Sequence, residues 1–578
     1  MTDDHPVDMI RVFPAAVNSM TARSRTRISA TAARRVAAAW TLLTAGLPSF
    51  AQSPAAVELR DPPEQAIPQT TAPLAEPAAA FPSGVPRVRV NAFRFRGNRL
   101  LDSENLAAVV HDYAGRELTG PDLHAAALAI AEAYVRSGHL ARVRIHAVAL
   151  AEGIAEISVE ELRLGRVNLF LPGDSRVDQP LAERFLGGRF VAGAPLPLVE
   201  IEHRVGLLDA LPGVAAAVAL DPGADPGEVD LNVRLRDRPL LAGSLGLDNH
   251  GLRSTGQQQI TADLRADNGL GLAERFSVLA AKAAGREDLA PTITVPVGGD
   301  GLRVGLGAYG YHYRDRMAGR ALGLTGSQAA WSVFADQVLV QRRDLAVTAG
   351  VALRRIGYHD DSIFGELRRR RIDAFDVTLA GRWRTGAGVG AWQVALRHGR
   401  ADLSGNAGDQ AADAASSRIE GNFTRLRWRV VHDSPLGGGT LAASLRGQHV
   451  SRNLDPTQGF YLGGPGRVRA YPTVEGMGDE GWVASVEWRR PLDERFTGRV
   501  FADAGGVRRN GKPWADQRNA YGLAGIGAGL AWRLPDGYRA DLDLARQLGG
   551  NAGRQPNGTD LDGRSDRWRL WLSVARDF

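Results

Sequence analysis

The sequence predicts a membrane β-barrel of about sixteen antiparallel strands preceded by two small α+β modules. Beyond Pro239 helical periodicity disappears, and residues 239–578 alternate polar and apolar in short segments separated by Gly, Asp, Asn and Pro. Ahead of that stretch one strand–helix–helix–strand–strand pattern occurs twice, over residues 87–161 and 162–238. Outside the first fifty positions no run of eighteen apolar residues occurs, which excludes helical membrane spans and leaves a barrel allowed.

Composition narrows the function classes. Cysteine is absent, so a disulfide scaffold is ruled out. Lysine occurs only at Lys282 and Lys512, so arginine supplies 68 of the 70 basic side chains, yet the net charge is only +6. Acids are interspersed with the arginines instead of leaving a basic stripe, which argues against a nucleic-acid partner.

Residues 1–51 read as an export signal: Arg23, Arg25, Arg27, Arg34 and Arg35 precede a short apolar core, Val36 to Leu47, and a small-x-small site at Ser49-Phe50-Ala51. Three acids before Met20 suit no such signal, so Met20 is the natural initiator. Residues 52–86 are rich in Pro and Ala and read as a linker; Pro62-Pro63 interrupts any long plug helix there.

The first module opens with a strand from Val88 to Phe95 whose apolar phase slips between Val90 and Phe93. A helix from about Ser103 follows, then a second from Thr119 to Gly138 with Leu123, Ala127, Ile130 and Tyr134 on one face. Two strands centred on Val143 and Ile157 close it. In the second module Val167, Leu169 and Leu171 alternate and Leu198, Ile201, Val205 and Leu208 form a helical stripe. Strands at Val214 to Leu220 and Val229 to Leu235 complete the repeat.

In the barrel region Phe375, Val377 and Leu379 oppose Asp376 and Thr378, and Trp568, Leu570 and Leu572 oppose Arg567 and Arg569. One side suits lipid and the other water; a soluble sandwich has the same period. The need to pair every strand, the export signal and a chain ending on Phe578 favour the membrane.

Apparent enzyme motifs fail in context. Gly305-Leu-Gly307-Ala-Tyr-Gly310 lies within an alternating strand with no helix after it, and Gly506 to Lys512 is followed by Pro513 where a metal-binding hydroxyl belongs. The histidines form no metal-ligand pair, so no catalytic centre, metal or cofactor is expected.

The informative constellation is Gly463-Gly-Pro-Gly-Arg-Val-Arg469-Ala-Tyr471, a loop between two strand-like runs, with Phe501-Ala-Asp503-Ala-Gly505 beyond it. Period-two alternation turns Phe501, Asp503 and Gly505 away from the apolar side. A carboxylate buried there needs a cation, and Arg469 can supply one bidentately. Glu487, inward on the strand Trp482 to Arg489, is a second acid for the same arginine.

These residues resemble the ShlB/FhaC/HecB haemolysin secretion/activation family, the TpsB transporters of two-partner secretion, over residues 87–578. The resemblance rests on two POTRA-like modules with Leu211-Pro-Gly-Val214, on Asp248-Asn-His-Gly251 followed by Ser254-Thr-Gly256, on Val468-Arg-Ala-Tyr471, on Phe501 to Gly505 and on terminal Phe578. Ala470 stands where the family carries glycine. The resemblance implies periplasmic POTRA domains at 87–161 and 162–238 and an outer-membrane barrel at 239–578. Within the barrel, loop 452–481 folds into the lumen and is locked by Val468, Arg469, Tyr471, Glu487, Phe501, Asp503 and Gly505. It further implies a secreted TpsA-type exoprotein as partner, outer-membrane lipid around the barrel, and Phe578 as the C-terminal signal read by the barrel-assembly machinery. The alternatives are an insertase of the barrel-assembly type, a passive porin and a soluble adhesin-like sandwich.

Overall fold

A computed structural model describes residues 87–146 and 153–578 apart from positions 189, 318, 515 and 517. The export signal and linker therefore lie outside the described residues.

The first module comprises β1 (Val88–Val90), β2 (Ala92–Arg96), α1 (Ser103–Val109), β3 (Arg116–Leu118), α2 (Gly120–Arg136), β4 (Ala141–His146) and β5 (Ile154–Glu161). The expected first strand is two strands: β1 pairs with β3, a short strand the sequence reading missed, while β2 lies parallel to β5. The phase slip between Val90 and Phe93 is the break between the two sheets at Asn91. Thr119 caps α2 through a reciprocal bond with Asp122, which fixes where the helix begins. Ala127, Ile130 and Tyr134 pack under the sheet with Val143 and Ile157, while Leu123 packs with Val90, Leu118 and Ala155.

The second module comprises β6 (Arg163–Phe170), α3 (Gln179–Leu186), α4 (Leu198–Asp209), β7 (Val214–Pro222) and β8 (Glu228–Asp237). Its sheet order β6-β8-β7 repeats the β2-β5-β4 order of the first, with one parallel and one antiparallel pair in each.

The barrel begins with β9 (Leu241–Asp248), β10 (Gln259–Asp267), β11 (Arg275–Ala283), β12 (Arg286–Val297), β13 (Leu302–Arg314) and β14 (Thr325–Gln341). It continues through β15 (Leu345–Ser362), β16 (Gly365–Thr385), β17 (Gly388–Asp402), β18 (Gly421–Leu436) and β19 (Gly439–Val450). It ends with β20 (Glu480–Pro491), β21 (Phe496–Arg508), β22 (Ala520–Arg533), β23 (Tyr538–Leu548) and β24 (Trp568–Asp577). These sixteen strands close, β24 against β9, so the sheet has no edge to expose to lipid. Phe578 extends the seam by exchanging backbone hydrogen bonds with Gly243, at 3.0 and 2.9 Å.

Alternation sorts the two barrel faces. Leu247, Ile260, Val377, Trp482, Val500 and Leu570 are exposed outside, while Asp376, Glu487 and Asp503 are buried inside. One helix of the barrel region was not expected: α5 (Ala407–Ala414), in the β17–β18 connection. Its sequence, AGDQAADA, carries no large apolar residue and hence no periodic stripe; the Asn406 cap and buried Asp409 and Asp413 define it instead.

The second module seats on the barrel end formed by the β10–β11 and β12–β13 turns and the end of β14. Arg204 of α4, 3% exposed, bonds Asp300 at 2.8 Å and Glu200 at 2.7 Å, and Leu207 packs beneath Gly301 and Val338. A Cβ on Gly299 would stand 2.0 Å from the Arg184 carbonyl oxygen, a backbone atom that only moves with its helix. Gly299→Val should therefore lever the module off the barrel. The expected outcome is faster proteolytic cleavage around residues 238–240 with the barrel itself still resistant.

Candidate lumenal lock

The connection between β19 and β20, residues 451–479, turns inward and fills the lumen. Its residues touch each of ten successive strands. Gln458 meets Tyr358 of β15, Arg397 of β17, Arg425 of β18 and Gln448 of β19, while Asp455 bonds Arg370 of β16. Arg469 meets Glu487 of β20 and Asp503 of β21, and Ala470 abuts Gly525 of β22. Gln547 of β23 donates to the Ala470 carbonyl, and Trp571 of β24 donates to the Arg469 carbonyl at 2.8 Å.

The structure brings Arg469 together with Asp503 and Glu487. Nε and Nη2 of Arg469 each lie 2.9 Å from one oxygen of Asp503, a bidentate fork, and the Arg469 backbone N–H adds a third bond at 3.1 Å. Nη1 bonds Glu487 at 2.5 Å, and Ser485 Oγ donates to Asp503 at 2.7 Å. The guanidinium carbon sits 3.3 Å from the centre of the Phe501 ring, so a face of the group is stacked on an aromatic while its N–H edges bond the carboxylates. Arg489 and Arg499 flank the pair and bond Glu487 and Asp543.

Burial sets the magnitude. The Asp503 side chain is fully buried and those of Arg469 and Glu487 are 8% and 10% exposed. Removing one partner of such a group costs about 3–5 kcal/mol, because the acids left behind lose their cation without gaining water.

The remaining expected residues serve the backbone. Val468 and Tyr471 are fully buried with Leu462 and Phe460 against Val483, Phe501, Val507, Leu523 and Ala545 of the barrel wall. Gly505 leaves room for the loop, since a Cβ there would stand 3.0 Å from Leu462 Cδ2. Ala470 does not take a positive φ, so no glycine is required at that position, and Gly525 opposite supplies the clearance: a Cβ at 525 would lie 2.5 Å from that of Ala470. Phe578 lies far from the lock, on the outer face at the β9–β24 seam.

Sequence reasoning missed the Gln458 anchor. Gln458 Oε1 accepts from Arg397 and Arg425, each at 2.8 Å, and Asp376 holds Arg397 bidentately at 2.6 and 2.7 Å. Alternation places these arginines on the inner face, but nothing local points to a glutamine 61 positions away.

Residues 227–532 match the haemolysin secretion/activation protein family ShlB/FhaC/HecB, and residues 88–161 match the ShlB-type POTRA domain. The chain belongs to the ShlB/FhaC/HecB family. It is a two-partner secretion transporter of the outer membrane, not an enzyme. The transporter is 21% identical over 500 residues to the heme/hemopexin transporter protein HuxB of Haemophilus influenzae, covering 84% of this chain and 86% of that one. It is likewise 21% identical to the outer membrane transporter CdiB of Dickeya dadantii, over 70% of this chain and 73% of that one. The solved structure of CdiB from Escherichia coli has the same fold, with a TM-score of 0.61 at 19% identity, over 96% of this chain and 100% of that one.

The transporter's loop also holds two acids with no cation beside them. Burial pushes Glu475 up to about 7, against the bonds it accepts from Leu561 N and Asn551, with Asp560 and Asp562 adding repulsion. Burial likewise pushes Asp479 up to about 7, against bonds from the Gly511 and Leu454 amides. A carboxyl raised in the seated loop favours seating when protonated, so seating weakens as pH climbs from the ordinary carboxyl range to about 7 and then levels off. In planar bilayers the open fraction should rise from pH 5 to pH 7 and stay flat above, and Glu475→Gln with Asp479→Asn should remove that dependence.

Proposed function

We propose that the transporter captures an unfolded TpsA-type exoprotein through its two periplasmic modules and passes it outward through the barrel without ATP, with loop 451–479 as the gate. The buried Arg469–Asp503–Glu487 cluster carries this reading. A charge group of that strength on a loop crossing the lumen holds a plug in place, whereas a permanently open pore needs none.

Capture follows from the module sheets. Strands β2 and β4 of the first sheet and β6 and β7 of the second are sheet edges, and an extended chain can add to such an edge through main-chain hydrogen bonds. With no nucleotide motif in the chain, the free energy of the exoprotein's folding at the cell surface makes passage one-way. Phe578, at the end of the closing strand, serves as the signal that the barrel-assembly machinery reads, and lipid surrounds the apolar outer face.

Two outcomes test this. Arg469→Ala should cut secretion of the partner exoprotein at least tenfold while leaving the heat-modifiable, folded barrel at parental abundance; equal secretion by the variant refutes the gate. Deleting Phe578 should do the reverse, lowering the amount of folded barrel in the outer membrane while each assembled copy secretes normally.

A further inference from the structure

The tip of the lumenal loop is held by Arg469, but its root is held by a separate set of groups at the cell-surface end of the barrel. Arg370 of β16 divides its guanidinium between two loops. Nε and Nη2 fork onto Asp409 of α5, both at 2.7 Å, and Nη1 bonds Asp455 at the loop root at 2.8 Å. All three side chains are nearly dry, at 9%, 8% and 4% exposure. Departure of either loop takes one carboxylate away from Arg370, whose guanidinium stays nearly dry on β16, so each loop's exit breaks a buried charge-assisted bond.

Other bonds join the same place. Asn453 donates to the Ser417 carbonyl of the α5 loop and makes a reciprocal pair with the backbone of Lys512 in the β21–β22 loop, at 2.9 and 2.6 Å. Asp479, at the far end of the root, accepts from the Gly511 amide at 2.8 Å. Arg452 donates to the Arg418 and Asn422 carbonyls. The α5 loop is itself braced, because Asp413 accepts from Ile419 N, Glu420 N and Ser417 Oγ. Two surface loops thus grip the root, and none of these groups bonds to the Arg469 cluster.

We infer that Arg370, Asp409 and Asp455, with Asn453 against Lys512, form a second latch at the cell-surface end, which must release before the loop can leave the lumen. Arg370 is a positioning residue: it acts on the path only through the loop it holds. The inference rests on the reading of loop 451–479 as a gate and adds a second, separate restraint on the closed state: weakening either the tip or the root raises the open fraction, and tethering the root keeps the loop in the lumen whatever the tip does.

Channel conductance in planar bilayers bathed in potassium chloride tests it, on full-length protein. Because the chain has no cysteine, Asn453→Cys with Lys512→Cys introduces the sole pair able to bridge root and surface loop. In an Arg469→Ala background the reduced form should open at least tenfold more often than the parent, and oxidation of the same sample should return it to the parental level. In the otherwise parental chain Arg370→Gln should also raise the open fraction about tenfold, with unchanged heat-modifiable mobility, and Arg370→Lys should restore part of the closure. If the oxidised tether opens as freely as the reduced one, or Arg370→Gln behaves as the parent while Arg469→Ala opens, the latch is overturned and the gate stands. If Arg469→Ala stays shut in the reduced form, the gate and the latch fall together.

Discussion

A guanidinium buried in the lumen of a closed barrel is the constraint around which the rest of this transporter is arranged. Arg469 reaches the wall on a loop 29 residues from strand end to strand end, and that loop would stay in solvent unless its seat repaid the ordering of its backbone. The repayment is concentrated: a bidentate carboxylate, a second acid, an aromatic face and two carbonyl bonds to the far wall. The surrounding sequence accommodates that seat. β22 presents Gly525 and Gly527 where the loop and Phe501 press in, and Arg489 and Arg499 share Glu487 and Asp543 with Arg469.

The barrel makes such a seat possible because the lipid outside forbids any unpaired backbone within the hydrocarbon region. Each strand must pair on both sides, so the wall is rigid and its inner side chains hold fixed register across the sheet. Ser485 faces Asp503 and Glu487 faces Phe501 in that register, which assembles from two strands a site that no single segment contains. The same frame docks the second module: Arg204 meets Asp300 because the β12–β13 turn is held in place by its two strands.

Much of the fold was legible because membrane strands and amphipathic helices leave periodic signals. Val500, Ala502 and Ala504 against Phe501, Asp503 and Gly505 gave the direction of the lock, and Leu123, Ile130 and Tyr134 gave the buried face of α2. Signals failed where the period was too short or too weak. β3 is three residues long, and α5 has alanine where a stripe would need larger side chains. The break at Asn91 was visible only as a phase slip, since which strand pairs with which is not a local property.

By itself the sequence determined which residues face water and which face lipid, because side-chain direction in a strand depends only on parity along the chain, and it nominated Arg469, Glu487 and Asp503 because charges on an inner face require partners. Tertiary structure alone decided that Gln458 meets Tyr358 across 100 positions, that Arg370 holds Asp455 across 85, and that Trp571 caps the Arg469 carbonyl across 102. Those contacts depend on barrel closure and on how far a long loop travels inside it. Both are set by the balance of ordering entropy against burial over the whole molecule, and no local pattern encodes that balance.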